Sequence, residues 1–122
     1  MTEEASPKRP RMKDVPRDME PYFLAFLRRG ERWNDTQGTE ATDLLPRHLA
    51  FHRQQVEAGR YLLTGPITDE GRLVGIVIIA AKTAEEALAI AAADPGVQSG
   101  RLAVEVHPVL LPSLKDVKIS YQ

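Results

Sequence analysis

Apolar residues along this chain follow two periods, and the order of those periods outlines a fold. Pro21-Tyr22-Phe23-Leu24-Ala25-Phe26-Leu27 is aromatic and apolar on both alternating faces, which predicts a first strand closed by Arg28-Arg29-Gly30. A polar connector from Glu31 to Thr42 holds Gly38 and the only tryptophan, Trp33. From Asp43 the spacing turns helical. Asp43 is placed to cap, Pro46 falls in the first turn, where a missing N–H is harmless, and Gly59 stands where a left-handed C-cap is wanted. Leu45, Leu49, His52 and Val56 share one face of this helix, read as the buried stripe, and Leu44, His48 and Phe51 lie beside it.

Two strands follow, Arg60 to Ile67 and Arg72 to Ala81, with Asp69-Glu70-Gly71 as the hairpin turn. Leu73 to Ala80 is apolar at every position, the pattern of a strand covered on both faces. Thr83-Ala-Glu-Glu86 is a capping box that opens an alanine-rich helix through Ala93. Asp94-Pro95 ends it, because a residue before proline avoids the helical region, and Gly96 to Gly100 reads as a turn. Arg101 to Pro108 alternates, with Leu102, Val104 and Val106 on one face. Leu114 to Gln122 alternates again at Val117, Ile119 and Tyr121, enough for an added edge strand or a contact with a partner.

The order β-α-β-β-α-β defines an α+β chain of the ferredoxin-like, split βαβ kind. Right-handed crossovers place both helices on one face of the sheet. The other face would then be bare, although the third strand and most of the first are apolar there too. A soluble monomer tolerates no such continuous patch, so the pattern predicts a homodimer packed sheet against sheet. The expected division is a flexible tail over residues 1–18, an α+β domain over 19–112 and a C-terminal extension over 113–122.

Composition narrows the function. The chain has 122 residues, suited to one domain, with a formal net charge of -1, so no basic field favours nucleic acid or anionic membrane. No apolar run approaches a membrane span, and Met1 to Lys13 lacks the apolar core of a secretory signal, so the expected location is the cytoplasm. The Lys8-Arg9-Pro10-Arg11 run is read as part of a solvated, charge-balanced tail. Cysteine is absent, which removes thiol nucleophiles, disulfides and cysteine-based metal sites. No Gly-x-Ser-x-Gly elbow, phosphate-binding loop or dinucleotide fingerprint occurs either.

Proton chemistry therefore falls to a few residues. His48 and Asp94 are the main pair: an imidazole can take and give a proton near neutrality, and a carboxylate on its other nitrogen fixes the tautomer. The plainer reading makes His48 a packing residue and Asp94 a turn-former before proline. His48 and His52, four apart on a helix, can chelate a metal, but no third ligand stands nearby in sequence. His52 is accordingly read as packing in the Leu49/Val56 stripe or touching a dimer partner. Glu105 and His107 share a strand face and read as solvated, with an acid/base role as the alternative. Tyr22, Tyr61, Arg28 and Arg60 could hold an anionic or phenolic ligand, and Trp33 could pack on the domain edge or cover a ligand.

Pro46-Arg-His48-Leu49, then Ala58-Gly59-Arg-Tyr-Leu-Leu-Thr-Gly65-Pro66, a capped helix, and Ala93-Asp94-Pro95 ahead of Gly100 together resemble the YciI-like, YCII-related family. The resemblance runs from about Tyr22 to Pro108. It implies a dimeric α+β barrel and a site at the His48 and Asp94 positions. One branch of that family dehydrochlorinates chlorinated hydroxyquinols, and similar barrels include isomerases and cofactor-free oxygenases. With it, the leading expectation is a cofactor-independent acid/base enzyme on a small, cyclic, oxygen-rich molecule, with His48 and Asp94 as the catalytic dyad and no metal or cofactor. The alternative is a homodimer of the same fold that binds a small molecule without converting it.

Overall fold

In the computed structural model, residues 14, 16–34 and 39–121 are described, without the side chains of 39–42. Nearly all of the expected N-terminal tail, including Lys8 to Arg11, lies outside these residues, as does Gly38. Four strands and three helices follow in the order β1 (Met19–Arg29), α1 (Thr39–Glu57), β2 (Tyr61–Pro66), β3 (Leu73–Ile79), α2 (Ala84–Ala92), α3 (Pro95–Gln98) and β4 (Leu102–Pro112). The strands lie in the order β2-β3-β1-β4 and every neighbouring pair is antiparallel, so the chain is a mixed α+β, ferredoxin-like fold.

Register separates the two sheet faces. Ala25 pairs with Val77 and Val106, and Leu27 pairs with Gly75 and Val104. These residues alternate onto the side that the helices cover, where Ala25, Val77 and Ile79 are fully buried. Ala87 and Ala91 of α2 join them in the core, and their small side chains let that helix sit close to β1 and β4. α1 packs on β2 and α3 instead. The opposite face carries Leu24, Phe26, Leu63, Ile76 and Ile78, by the same registers. No helix among the described residues is long and apolar enough to cross a membrane.

Several local expectations change. α1 begins a turn before Asp43, so Asp43 is not its cap and Pro46 lies inside the helix. That proline removes one helical hydrogen bond on the solvent side, where its neighbours Leu45 and Arg47 are also exposed. The helix is also rotated from the expected stripe. Leu44, His52 and Gln55 are buried, whereas Leu45 and Leu49 are 62% and 57% exposed. Leu45 and Leu49 stand about 100–140° around the helix from Leu44, beyond the arc that reaches the sheet. The turn after Asp94 is the short helix α3, with Asp94 as its N-cap. Residues 113–121 add no strand; Tyr22 Oη instead accepts from the Leu114 amide at 2.8 Å, and the Tyr121 ring packs 4.5 Å from the Arg53 guanidinium.

The end of α1 fixes the path into β2. The Arg60 amide donates to the Gln55 carbonyl and the Gly59 amide to that of Val56, a Schellman closure with Gly59 at φ 79°. Open space surrounds the position where a Gly59 side chain would sit, so only backbone strain opposes substitution. We expect Gly59→Ala to lower unfolding free energy by about 1 kcal/mol, with Gly59→Asn losing less, as read by urea denaturation.

Candidate functional site

Asp94 is the hub of the site. It follows α2 and caps α3, and its side chain is 1% exposed. One carboxylate oxygen, Oδ1, accepts from the Gly96 amide at 2.8 Å, the local bond that an N-cap aspartate makes. The other, Oδ2, lies 2.7 Å from His48 Nδ1 and 3.1 Å from His52 Nε2. Helical spacing explains this convergence: residues four apart stack on one face of α1, and the two rings lie with centroids 4.3 Å apart. Because α1 packs on α3, both rings face the loop that carries Asp94.

Burial alone would raise the Asp94 pKa. The hydrogen bonds from His48, His52 and the Gly96 amide, with the charge of His48, outweigh it and lower the value from 3.8 to about 2. Asp94 is therefore an anion that can only accept hydrogen bonds, and both ring nitrogens facing it must carry protons. His48 held through Nδ1–H leaves Nε2 as its second nitrogen, on a side chain 18% exposed where His52 is 9%. His52 with its proton on Nε2 accepts at Nδ1 from the Thr64 hydroxyl, 2.9 Å away. A chain of contacts thus runs Thr64, His52, Asp94, His48. Tyr61 completes the wall, its ring edge-on to His52 at 5.1 Å. Burial, and secondarily the Asp94 charge, push its phenol well above the usual tyrosine range, so it remains a protonated donor.

Sequence reasoning paired His48 with Asp94, and the fold brings those two together. It placed His52 in a packing stripe or against a dimer partner, which the structure corrects: His52 is buried, as that stripe implied, but there its Nε2 meets the same carboxylate. Asp94 follows the carbonyl end of α2 but also caps α3, where its carboxylate accepts from the Gly96 amide. Thr64 was missed. The pairing of β2 with β3 slips between Tyr61 and Leu63, so Thr64 pairs with Val77 and faces the helices together with Tyr61. Regular alternation would have sent it to the opposite face.

The remaining candidates lie elsewhere. Glu105 and His107 sit on the opposite face of the sheet, 3.2 Å apart, with Arg28 and Arg72 each 3.5 Å from Glu105. The hydrogen bond from His107, with smaller help from Arg72, lowers the Glu105 pKa. Tyr22 bonds Glu20, and Arg60 bonds the Gln55 side chain, so neither joins the His48–Asp94 group. Trp33 lies against the guanidinium groups of Arg29 and Arg101, 5.2 and 4.9 Å from its ring, on the domain edge. A third ligand, absent in sequence near His48 and His52, is present in space: one donor atom each from His48, His52 and Asp94 lies within 4.8 Å of the others.

A ferredoxin-like α+β fold with a buried aspartate held between two histidines of one helix is thus defined. The chain belongs to the YCII-related domain family, whose sequence profile matches residues 25–110. Among solved structures it is similar to 5-chloro-2-hydroxyhydroquinone dehydrochlorinase from Burkholderia phenoliruptrix AC1100, in complex with 2,5-dihydroxybenzoquinone. The TM-score is 0.51 at 20% identity, over 70% of this chain and 90% of that one, which shows a shared fold. No curated protein sequence matches.

The lowered Asp94 pKa carries a stability consequence with a definite sign. A carboxyl at about 2 when folded and near 3.8 when unfolded stabilises the fold fully above about pH 4 and loses that contribution as pH falls through about 2. The contribution is roughly 2 kcal/mol. In urea unfolding, the stability gap between the wild type and Asp94→Asn should narrow by about that amount over this window; a constant gap would contradict the network.

Proposed function

We propose that the protein is a cofactor-independent acid/base enzyme acting on a small, cyclic, oxygen-rich molecule, with His48 and Asp94 as the catalytic pair. The 2.7 Å contact between His48 Nδ1 and Asp94 Oδ2 carries this reading. Asp94 fixes the tautomer, so His48 Nε2 presents a lone pair that takes a proton from substrate. The imidazolium so formed is stabilised by the buried carboxylate and returns the proton in the second half of the reaction. Proton removal beside a carbonyl, elimination of a leaving group and isomerisation all use these two steps. Tyr61, kept protonated beside His52, is a suitable hydrogen-bond donor to a developing oxyanion.

The similarity in fold to an enzyme named for a chlorinated hydroxyhydroquinone supports substrates of that class as first probes. We also infer that two copies pack sheet against sheet, covering the face that bears Leu24, Phe26, Leu63, Ile76 and Ile78. Ile76, apolar and 36% exposed at the centre of β3, supports that arrangement.

Two measurements test these readings. Chloride release and absorbance changes, followed with chlorinated hydroxyhydroquinones, should identify turnover in the wild type and a loss of about 10²–10⁴-fold in kcat/KM in His48→Ala. Full activity in His48→Ala would remove His48 from catalysis, and tight binding without turnover would make the protein a ligand-binding dimer. Sedimentation should give a dimer for the wild type and a monomer with unchanged helix content for Ile76→Lys; a monomeric wild type would refute the sheet-packed pair.

A further inference from the structure

The donors that converge on Asp94 Oδ2 meet a second chemical requirement besides proton sharing. We propose that His48, His52 and Asp94 form a site for one borderline divalent transition-metal ion, of the zinc, cobalt or nickel type, which takes the place of the two ring protons facing Asp94. The inference goes beyond the acid/base reading and stands without it, because ion binding needs no substrate.

Three features support the site. The first is the ligand set: two imidazole nitrogens and one carboxylate oxygen, with no thiolate, suit these ions, whereas calcium and magnesium prefer shells made of oxygen. His48 and His52 come from successive turns of one helix, and Asp94 comes from a separate loop, so the three approach from two directions. The second is spacing. Tetrahedral zinc with bonds of ~2.0–2.2 Å holds its donors about 3.4 Å apart. Here Oδ2 lies 2.7 and 3.1 Å from the two nitrogens, and all three donors fall within 4.8 Å. Opening the His48 contact by about 0.7 Å and the His52 contact by about 0.3 Å, within reach of side-chain rotations, admits an ion.

The third is the outer shell. A metal-bound histidine usually donates its other ring N–H to an oxygen, which orients the ring. Thr64 Oγ1 stands 2.9 Å from His52 Nδ1 and can do this. A hydroxyl both donates and accepts, so Thr64 serves either tautomer of His52. With the ion bound, His52 moves its proton from Nε2 to Nδ1 and donates it to Thr64. His48 likewise moves its proton from Nδ1 to Nε2, and no net proton need leave. Asp94 is held on its far side by the Gly96 amide. Since His48 Nε2 then carries the proton, the metal-bound form and the base form of His48 exclude each other.

The test uses untagged full-length protein titrated with Co²⁺ and, separately, Zn²⁺. The expected result is one ion per chain, a visible cobalt absorption band of low-coordinate nitrogen/oxygen type, and displacement of cobalt by zinc. His52→Gln and Asp94→Asn should each weaken cobalt binding at least tenfold. Thr64→Val, which leaves all three ligands in place, should weaken it about 10–100-fold, with Thr64→Ser restoring it. His107→Ala, on the other sheet face, should leave it unchanged. No cobalt band and no zinc binding in the wild type would overturn the proposal, as would binding that survives both His52→Gln and Thr64→Val. Metal binding without activity, or activity without metal binding, separates this site from the acid/base reading.

Discussion

A single buried carboxylate organises this molecule's chemistry. Asp94 has no access to water, and a bare anion in that position would be strongly unfavourable. Three hydrogen bonds offset the burial, one from the Gly96 amide and two from imidazoles four residues apart on α1. Each contributing element depends on the others. α1 is turned so that His48 and His52 point inward only because its packing surface is α3 and β2. α3 begins at Asp94 only because the carboxylate caps it. Among the described residues no buried side-chain nitrogen or oxygen lacks a partner, so the polar cluster is accommodated without orphaned groups.

The fold supplies the directions that the cluster needs. The split βαβ order leaves α1 over the β2 edge, and the α2–β4 connection returns Asp94 to meet it. The irregular pairing in β2 then turns both Tyr61 and Thr64 toward the helices. Without that slip, Thr64 would lie on the apolar face with Leu24 and Ile78. His52 would then have an unpartnered ring nitrogen beside a tyrosine. A one-residue irregularity thus decides whether the second histidine is oriented or loose.

Much of this was legible in the sequence, and the misses have physical causes. The element order and the antiparallel sheet follow from hydrophobic period and turn chemistry, which depend on neighbouring residues alone. His48 and Asp94 were identifiable because a histidine beside a helical stripe and an aspartate before proline each stand out, and their pairing followed from a family resemblance. His52 was placed on the buried face but without its partners, because periodicity shows neither which arc of a helix meets the sheet nor which polar groups of other elements face it. Leu45 and Leu49 looked as core-like as Leu44, and only packing against α3 and β2 chooses between them. Thr64 depends on a register slip, and the length of α1 depends on a proline that the helix tolerates on its solvent side.

The most direct test of this account is the ring-nitrogen NMR spectrum of ¹⁵N-labelled protein at neutral pH. If Asp94 holds both imidazoles, the Nδ1–H proton of His48 should appear as a downfield, slowly exchanging signal, with a second N–H at His52 Nε2. Both should shift or vanish in Asp94→Asn while the backbone amides remote from α1 and α3 stay in place. Identical ring spectra for the two proteins would mean that the carboxylate does not hold the histidines, and the site as described would not exist.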